Sequence, residues 1–399
     1  AFRITTGPRT KIRSFIVRYA DNPSDAASLP QDGAALGLKV DRVARAQRII
    51  DLTAAAIRFL ENHGHPRPKL NERKVVIDLA SNQADVTLTI AAGSPERFGE
   101  ISIANEGRTK DDYVRSLAKF KPGDIYDRSK ADETVSALRK TGLFDRVTLD
   151  VIDTPGDTVP QKLTLTERPH RSVGVGARWS SDQGAGVTTF WEHRNLLGAG
   201  EKLHLDLTVA QELQLLGAHF NKPHFMREDQ SLLADFEVAH EITDAYHENR
   251  IKTAAGIARK LRENLDVSGG LSFEIERTTD STGYHAYELF GIPLTGRYDG
   301  TDDLLDPTQG MRLGFALTPY GGSADSAATT FVKLDANAST YWSLSRKFTL
   351  AFRGRYGSIL AQKTGDMPGS IRFYAGGGSS IRGYGYQLVG PLDAKKEPL

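Results

Sequence analysis

The chain has 399 residues, a formal net charge of +1 and no cysteine. Its length asks for two or three domains, the missing thiols exclude a disulfide framework, a thiolate nucleophile and a cysteine metal site, and the balanced charge, with no dense Lys/Arg block, gives no case for nucleic acid. Mean hydropathy is −0.38 and no apolar run approaches the ~18 residues of a spanning helix, but this does not exclude a transmembrane β-barrel, whose strands alternate apolar and polar residues.

The first residues, AFRITTG, carry no signal peptide, and residues 1–7 read as the last strand of a module that begins upstream. The segment up to residue 169 contains a repeat. FRITTGPRTKIRSFIV at 2–17 matches LTIAAGSPERFGEISI at 88–103, with Ile4 over Ile90, Gly7 over Gly93, Ile12 over Phe98, Phe15 over Ile101 and Val17 over Ile103, an offset of 86. FLENHGHPRP at 59–68 matches LRKTGLFDRV at 138–147, an offset of 78 that places Gly64 over Gly142. Repeats at this spacing indicate tandem modules. Each module, 8–93 and 94–169, reads strand, helix, helix, strand, strand. In the second, 101–105 is extended, Thr109–Phe120 is a helix with a threonine cap, Pro122-Gly123-Asp124 breaks it, Ser129–Thr141 is a second helix, and 146–153 and 161–168 alternate with period two. In the first, the polar connection from Asn22 to Gly37 reads as a loop.

From Ser172 onward the helical period disappears. Leu203, Leu205, Leu207 and Val209 oppose His204, Asp206 and Thr208; Leu271, Phe273 and Ile275 oppose Ser272 and Glu274; Leu350, Phe352 and Tyr356 oppose Thr349, Arg353 and Arg355. Eleven such strands are predicted, at 172–180, 186–194, 202–211, 213–221, 231–243, 248–260, 264–276, 285–298, 310–320, 329–343 and 347–359. A soluble sandwich and an outer-membrane barrel both give this pattern. Long strands, fully charged polar faces, and Trp179, Trp191, Tyr341 and Trp342 near strand ends, where an interfacial aromatic belt lies, favour the barrel. Its segment is 170–399.

Four stretches carry a family likeness: RNLLGAGEKL at 194–203, HFNKPHF at 219–225, YDGTDDLLDPTQGMRLGF at 298–315 and RFYAGGGSSIRGYGYQLVGP at 372–391. Together with the tandem modules they make the chain resemble the POTRA-barrel superfamily of outer-membrane assembly and secretion factors (the bacterial surface antigen family), and within it the TamA family. The resemblance covers essentially the whole chain. It implies POTRA modules in the periplasm followed by an antiparallel transmembrane β-barrel of about sixteen strands, of which eleven are expected here. It also implies that the glycine-rich loop bearing Ile381, Arg382, Gly383 and Tyr384 folds back into the lumen, where Arg382 meets acidic residues expected beyond Leu399. A guanidinium in a water-poor lumen suits that task because its bonds are bidentate and charge-assisted.

The implied function is insertion or secretion of β-barrel and autotransporter clients without ATP. The first barrel strand, Ser172, Val173, Gly174, Val175, Gly176, Ala177, Arg178 and Trp179, would form one side of a lateral gate; Gly174 and Gly176 weaken a strand there, or only relieve crowding. The POTRA modules would receive clients, and a TamB-like periplasmic partner, by strand augmentation. A two-partner secretion transporter of the same superfamily is the near alternative, and a passive outer-membrane channel the distant one. No enzyme or cofactor is expected: G-x-S-x-G, H-E-x-x-H and P-loop patterns are absent. His63 and His65 lack an evident third metal ligand, and the acids Asp299, Asp302, Asp303 and Asp306 read as turn chemistry rather than a Ca²⁺ loop.

Overall fold

The computed structural model describes residues 9–37, 43–154, 156–180, 182–361, 363, 366–378, 380–392 and 398. The expected strand at residues 1–7 lies outside them. The chain forms two compact units, residues 1–168 and 169–399.

The first unit holds two three-stranded sheets. One is built from β1 (Lys11–Tyr19), β2 (Lys69–Asp78) and β3 (Gln83–Ala91) in the order β1-β3-β2, with β1 parallel and β2 antiparallel to β3. Helix α1 (Ala46–Glu61) lays Ile49, Leu52, Ala56 and Leu60 on one stripe, at helical spacing, against Ile12, Phe15 and Val17 of β1 and Val86, Leu88 and Ile90 of β3. It stops at Gly64, whose φ of +100° a residue with a Cβ rarely adopts. Residues 22–37 hold only a short 3₁₀ turn, Ala26–Ser28, as expected of a stretch carrying Pro23, Pro30 and Gly33, so among the described residues this module has one α-helix where the strand-helix-helix-strand-strand order predicts two. Strand β2 forms the sheet edge and is exposed along nearly its whole length.

The second sheet repeats the first: β4 (Arg97–Asn105), β5 (Phe144–Val151) and β6 (Thr158–Glu167) run in the order β4-β6-β5, with β4 parallel to β6. Strands β1 and β4 keep the sequence offset of 86 at both ends. Helix α3 (Arg128–Lys140) packs on β5 and ends at Gly142 (φ +71°), the counterpart of Gly64.

The first helix of this module is shorter than predicted. Helix α2 covers only Asp111–Ser116, and its N-cap is Lys110, without a side-chain cap. The Thr109 amide serves Glu167 instead, at 2.7 Å. At the other end Leu117 and Ala118 close tighter i→i+3 turns, and the Lys119 amide donates to Thr134 Oγ1 of α3 at 2.9 Å. This leads Phe120 out of the helix to stack on Phe98, with centroids 3.8 Å apart.

The second unit is one antiparallel sheet of long strands: β7 (Arg171–Ser180), β8 (Gly184–Arg194), β9 (Lys202–Ala210), β10 (Leu213–Lys222), β11 (Gln230–Ile242), β12 (Tyr246–Arg262), β13 (Leu265–Asp280), β14 (Gly283–Gly291), β15 (Leu294–Asp299), β16 (Gly310–Ala324), β17 (Ala327–Ser345) and β18 (Phe348–Leu360). Each pairs with its sequence neighbours, save that β14 and β15 are two halves of one strand between β13 and β16. The eighth predicted strand is thus broken at Ile292-Pro293, where proline has no N–H for the ladder. Among the described residues the path ends at β7 and β18, which do not pair with each other.

The two faces of this sheet differ in kind. Val173, Val175, Leu205, Leu207, Ile251, Leu271, Leu313, Phe315 and Phe352 lie on one face and are exposed. The alternate positions carry Glu192, Asp206, Glu237, Arg250, Glu274, Glu276, Asp335 and Arg355. Trp179 and Trp342 are exposed on the apolar face. Tyr341 corrects the expected belt: as the neighbour of Trp342 it points to the opposite face by the period of two, where the Arg312 guanidinium lies 5.8 Å from its ring centroid.

Candidate functional site: a loop docked on the charged face of the sheet

The charged face is built by cross-strand pairing. Register places Lys252 of β12 beside Glu237 of β11 and Glu274 of β13, and Arg250 beside Glu276. Arg250 donates to Glu237 at 2.6 Å and to Glu248 at 2.8 Å, and Lys252 Nζ lies 3.2 Å from Glu274. Glu248, Glu274 and Glu276 are almost wholly buried. Such carboxylates persist only when paired and hydrogen-bonded, and here Glu248 is paired by Arg250 of its own strand, Glu274 by Lys252 of the adjacent one, and Glu276 by Thr278 of its own strand and by a loop.

That loop comes after β18. A short 3₁₀ turn at Gly369–Ile371 lies against β12, and Met367 and Ile371 enter an apolar patch of Tyr287, Leu289 and Phe331. Ser370 Oγ lies 3.0 and 2.9 Å from the two oxygens of Glu276. Arg372 Nη2 lies 2.9 Å from Asp280 Oδ2, with the two side chains 9% and 2% exposed, and it also donates to the Met367 carbonyl at 3.2 Å. Thr329 Oγ1 donates to the Asp366 carbonyl at 2.9 Å. Two glycines allow the close approach: a Cβ on Gly369 would lie 2.8 Å from the Tyr246 ring, and one on Gly357 would lie 2.7 Å from the Phe373 ring.

The structure therefore separates two arginines that sequence reasoning treated unequally. Ile381, Arg382, Gly383 and Tyr384 are all exposed, and among the described residues Arg382 makes no hydrogen bond or ion pair. Gly383 has φ +93°, so it supplies a turn. Arg372, at the start of the same stretch, meets an acid on the sheet. The partner, Asp280, lies beyond the predicted end of its strand at residue 276. The polar alternation Ser272, Glu274, Glu276, Thr278, Asp280 was the signal for the longer strand.

Among the described residues the first strand, β7, pairs with β8 alone. Val173, Val175, Ala177 and Trp179 lie on the apolar face; Ser172, Gly174, Gly176 and Arg178 lie on the other. Ser172 Oγ accepts from Arg194 at 3.0 Å, and Arg178 donates to Gln183 at 2.5 Å. A Cβ on Gly174 would sit 2.1 Å from the Phe190 ring, whereas one on Gly176 would meet only Thr188 Oγ1 at 3.2 Å. Crowding thus accounts for Gly174 and much less for Gly176.

The other singled-out motifs are turn and joint chemistry. In RNLLGAGEKL, the buried Glu201 accepts from the Leu197 and Ala199 amides at 3.3 and 2.9 Å, and Asn195 accepts from Gly200 at 2.9 Å. Asp302 accepts from Thr308 and Gln309, which hold its carboxyl down at about 2, and Arg312 binds Asp299 and the carbonyls of Asp303 and Leu304. His63 bonds the Phe59 carbonyl, whereas the buried His65 bonds Asp25 and the Gly93 carbonyl. The two rings do not converge, and among the described residues no three metal-ligating side chains do. His65 instead sits at the joint between the two small sheets, where Gly64 bonds Tyr126 and Glu96 bonds Gly64 through the backbone. There burial pushes the Glu96 carboxyl up, against the pull of Arg67 2.9 Å away.

Comparison with known proteins gives consistent matches. A family model described as the Omp85 superfamily domain matches residues 195–399, just over half of the chain. A second, the surface antigen variable number repeat of the POTRA type, matches residues 96–168. The outer membrane protein assembly factor BamA of Nitratidesulfovibrio vulgaris is 25% identical over 345 residues, covering 84% of this chain and 43% of the relative. BamA of Neisseria meningitidis serogroup B is 25% identical over 334 residues, covering 77% and 42%. The chain thus spans less than half the length of these relatives. Among solved structures, BamA from Haemophilus ducreyi lacking POTRA domains 1–3 superposes with a TM-score of 0.79 at 17% identity, over 94% of this chain and 76% of that one. The likeness is one of fold.

Proposed function

The chain belongs to the Omp85 superfamily, and from that premise we propose that it is part of an outer-membrane assembly factor, with β7–β18 in the membrane and the two small modules in the periplasm. In this reading residues 8–93 and 94–169 are POTRA modules, residues 1–7 end a preceding one, and 170–399 form the N-terminal part of the barrel. The observation that carries the reading is the two-faced sheet. A continuous apolar face exposed over long strands matches lipid, while the opposite face buries paired charges that lipid would not tolerate.

The factor inserts or translocates β-barrel clients by pairing strands at an opened barrel edge, without ATP. Strand β7 is one side of that gate, and Gly176, less crowded than Gly174, is where it yields. The exposed edge strand β2, with Val75, Val76 and Ile77 40–51% exposed, receives an extended client or a periplasmic partner by strand addition. Within the superfamily, the sequence motifs support a TamA-type factor acting on autotransporters with a TamB-like partner. The two relatives described above, which carry the name BamA, favour a second reading, a general assembly factor.

The test is reconstitution of the full-length protein in liposomes. An unfolded client barrel should become protease-resistant faster than in empty liposomes, and an autotransporter should gain more than a simple barrel if the TamA-type reading holds. Equal gains favour the general factor. No gain for any client, with steady conductance instead, rejects assembly in favour of a channel.

A further inference from the structure

We propose that Arg139 closes the edge strand β5 of the second small module to strand addition, and so leaves β2 of the first module as the open edge of the pair. The inference deepens the reading of β2 as a capture edge and rests on it for its setting.

The ladder shows which groups of β5 face outward. The Arg168 amide donates to the Leu143 carbonyl at 2.8 Å, and the Ile152 amide donates to the Pro160 carbonyl at 2.9 Å. These bonds fix the bonded positions at the two ends of the β5–β6 ladder. Between them, bonded and unbonded pairs alternate, as in any antiparallel pair. With the irregularity between Phe144 and Arg146, Arg146, Thr148 and Asp150 turn their backbone N–H and C=O toward β6. Val147, Leu149 and Val151 turn theirs away, to the side where no further strand pairs among the described residues. Such a row is a template for another chain.

Arg139 interrupts it. From helix α3, its Nη2 donates to the Val147 carbonyl at 3.1 Å. It therefore occupies an acceptor that an N–H of an added strand would need. Among the described residues the guanidinium has no carboxylate partner, so the edge carbonyl is the group that directs it.

The repeat supplies the comparison. At the offset of 78, Leu60 falls on Leu138, both fully buried, and Gly64 falls on Gly142. Arg139 then falls on Glu61, whose carboxylate has no proton to donate. The helices also pack differently: α3 lies on β5, whereas α1 lies on β1 and β3. Among the described residues no side chain donates to a carbonyl of β2, and that strand is exposed along nearly its whole length. One repeat-related position thus separates an open edge from a guarded one.

The test is photo-crosslinking in the full-length protein in liposomes. A benzophenone side chain replaces Lys74 of β2 or Asp150 of β5, both exposed. The probe is a synthetic peptide of the β7 sequence, Arg171–Ser180, whose residues alternate as in an extended strand. In the otherwise unchanged chain it should cross-link from position 74 and not from position 150. Arg139→Ala should raise the yield at 150 about tenfold, the factor of one hydrogen bond, and leave the yield at 74 as it was. Arg139→Lys keeps a donor cation and should raise it less. Arg139 is exposed on α3, and unchanged hydrogen-exchange protection of β6 reports that the module stays folded. No rise at 150 in Arg139→Ala overturns the proposal, as do equal yields at 74 and 150 before Arg139 is changed. A rise at 150 with no cross-link from 74 leaves the guard standing and rejects β2 as the capture edge.

Discussion

Glu167 shows how one carboxylate can organise a module. Its oxygens accept from Asn105 Nδ2 at 2.9 Å and from the backbone amides of Arg108 and Thr109 at 3.0 and 2.7 Å, so the end of β6 holds the loop that leads from β4 into α2. Burial pushes its pKa up, but the donations from Thr109, Asn105 and Arg108 win and hold it at about 2, below its ordinary value of 4.5. The folded value is the lower one, so the stabilisation is complete above pH 4.5 and is lost as pH falls from there toward 2. Hydrogen-exchange protection of the β4–β6 sheet, corrected for intrinsic rates, should fall across that window. Glu167→Gln should flatten the fall and cost about 1–3 kcal/mol at neutral pH. Gly107 belongs to the same device: a Cβ there would sit 2.0 Å from the Glu167 carboxyl carbon. Gly107→Ala should therefore expel the carboxylate and cost a similar about 1–3 kcal/mol. Because both changes break the same bonds, the double variant should be little worse than either single one, and full additivity would refute the shared mechanism.

At the scale of elements, what could be read in the sequence was whatever depends on near neighbours. The 86-residue offset related β1 to β4, whose ends differ by that number, although β4 was expected only over 101–105, and period-two alternation gave the long strands, because side-chain direction in a strand is local. What could not be read depends on contacts across the fold. Helix α2 was predicted to run to Phe120 because nothing in Thr109–Phe120 breaks a helix. It ends at Ser116 because Thr134, on another helix, takes the Lys119 amide. The Arg372–Asp280 pair was hidden for the same reason: its two residues are brought together only by the return of the chain across several strands. The α2 case is testable. Thr134 is 1% exposed, and Thr134→Val keeps its shape but leaves the Lys119 amide without that acceptor. Denaturant unfolding should show a loss of about 1–3 kcal/mol, with faster exchange localised to residues 117–120. A loss spread evenly over the sheet would instead indicate poorer packing of α3.

At the scale of the whole molecule, one choice remains from the sequence: alternating strands fit a soluble sandwich as well as a membrane barrel. The arrangement of charge decides it. In a sandwich the apolar face is the buried one, yet here Leu205, Leu271, Phe315 and Phe352 are exposed while Glu248 and Glu276 are fully buried. Register supplies a matched pair of probes. Gly314 faces Asn337 and Phe315 faces Ala336 across β16 and β17, so Phe315 and Asn337 stand at nearly the same height on opposite faces. Phe315→Lys would put an ammonium into hydrocarbon and should cost about 2–4 kcal/mol if the site is near the bilayer midplane. Asn337→Lys would put the same charge on the polar face between Asp335 and its cross-strand partner Arg355, where the cost should stay within about 1 kcal/mol. Reversible urea unfolding of the full-length protein from lipid vesicles, followed by tryptophan fluorescence, measures both. The predicted asymmetry requires lipid on the Phe315 side and water or polar protein on the Asn337 side. Equal losses would mean that both faces meet the same medium, and the sheet would then have to be half of a soluble sandwich whose partner covers the apolar side.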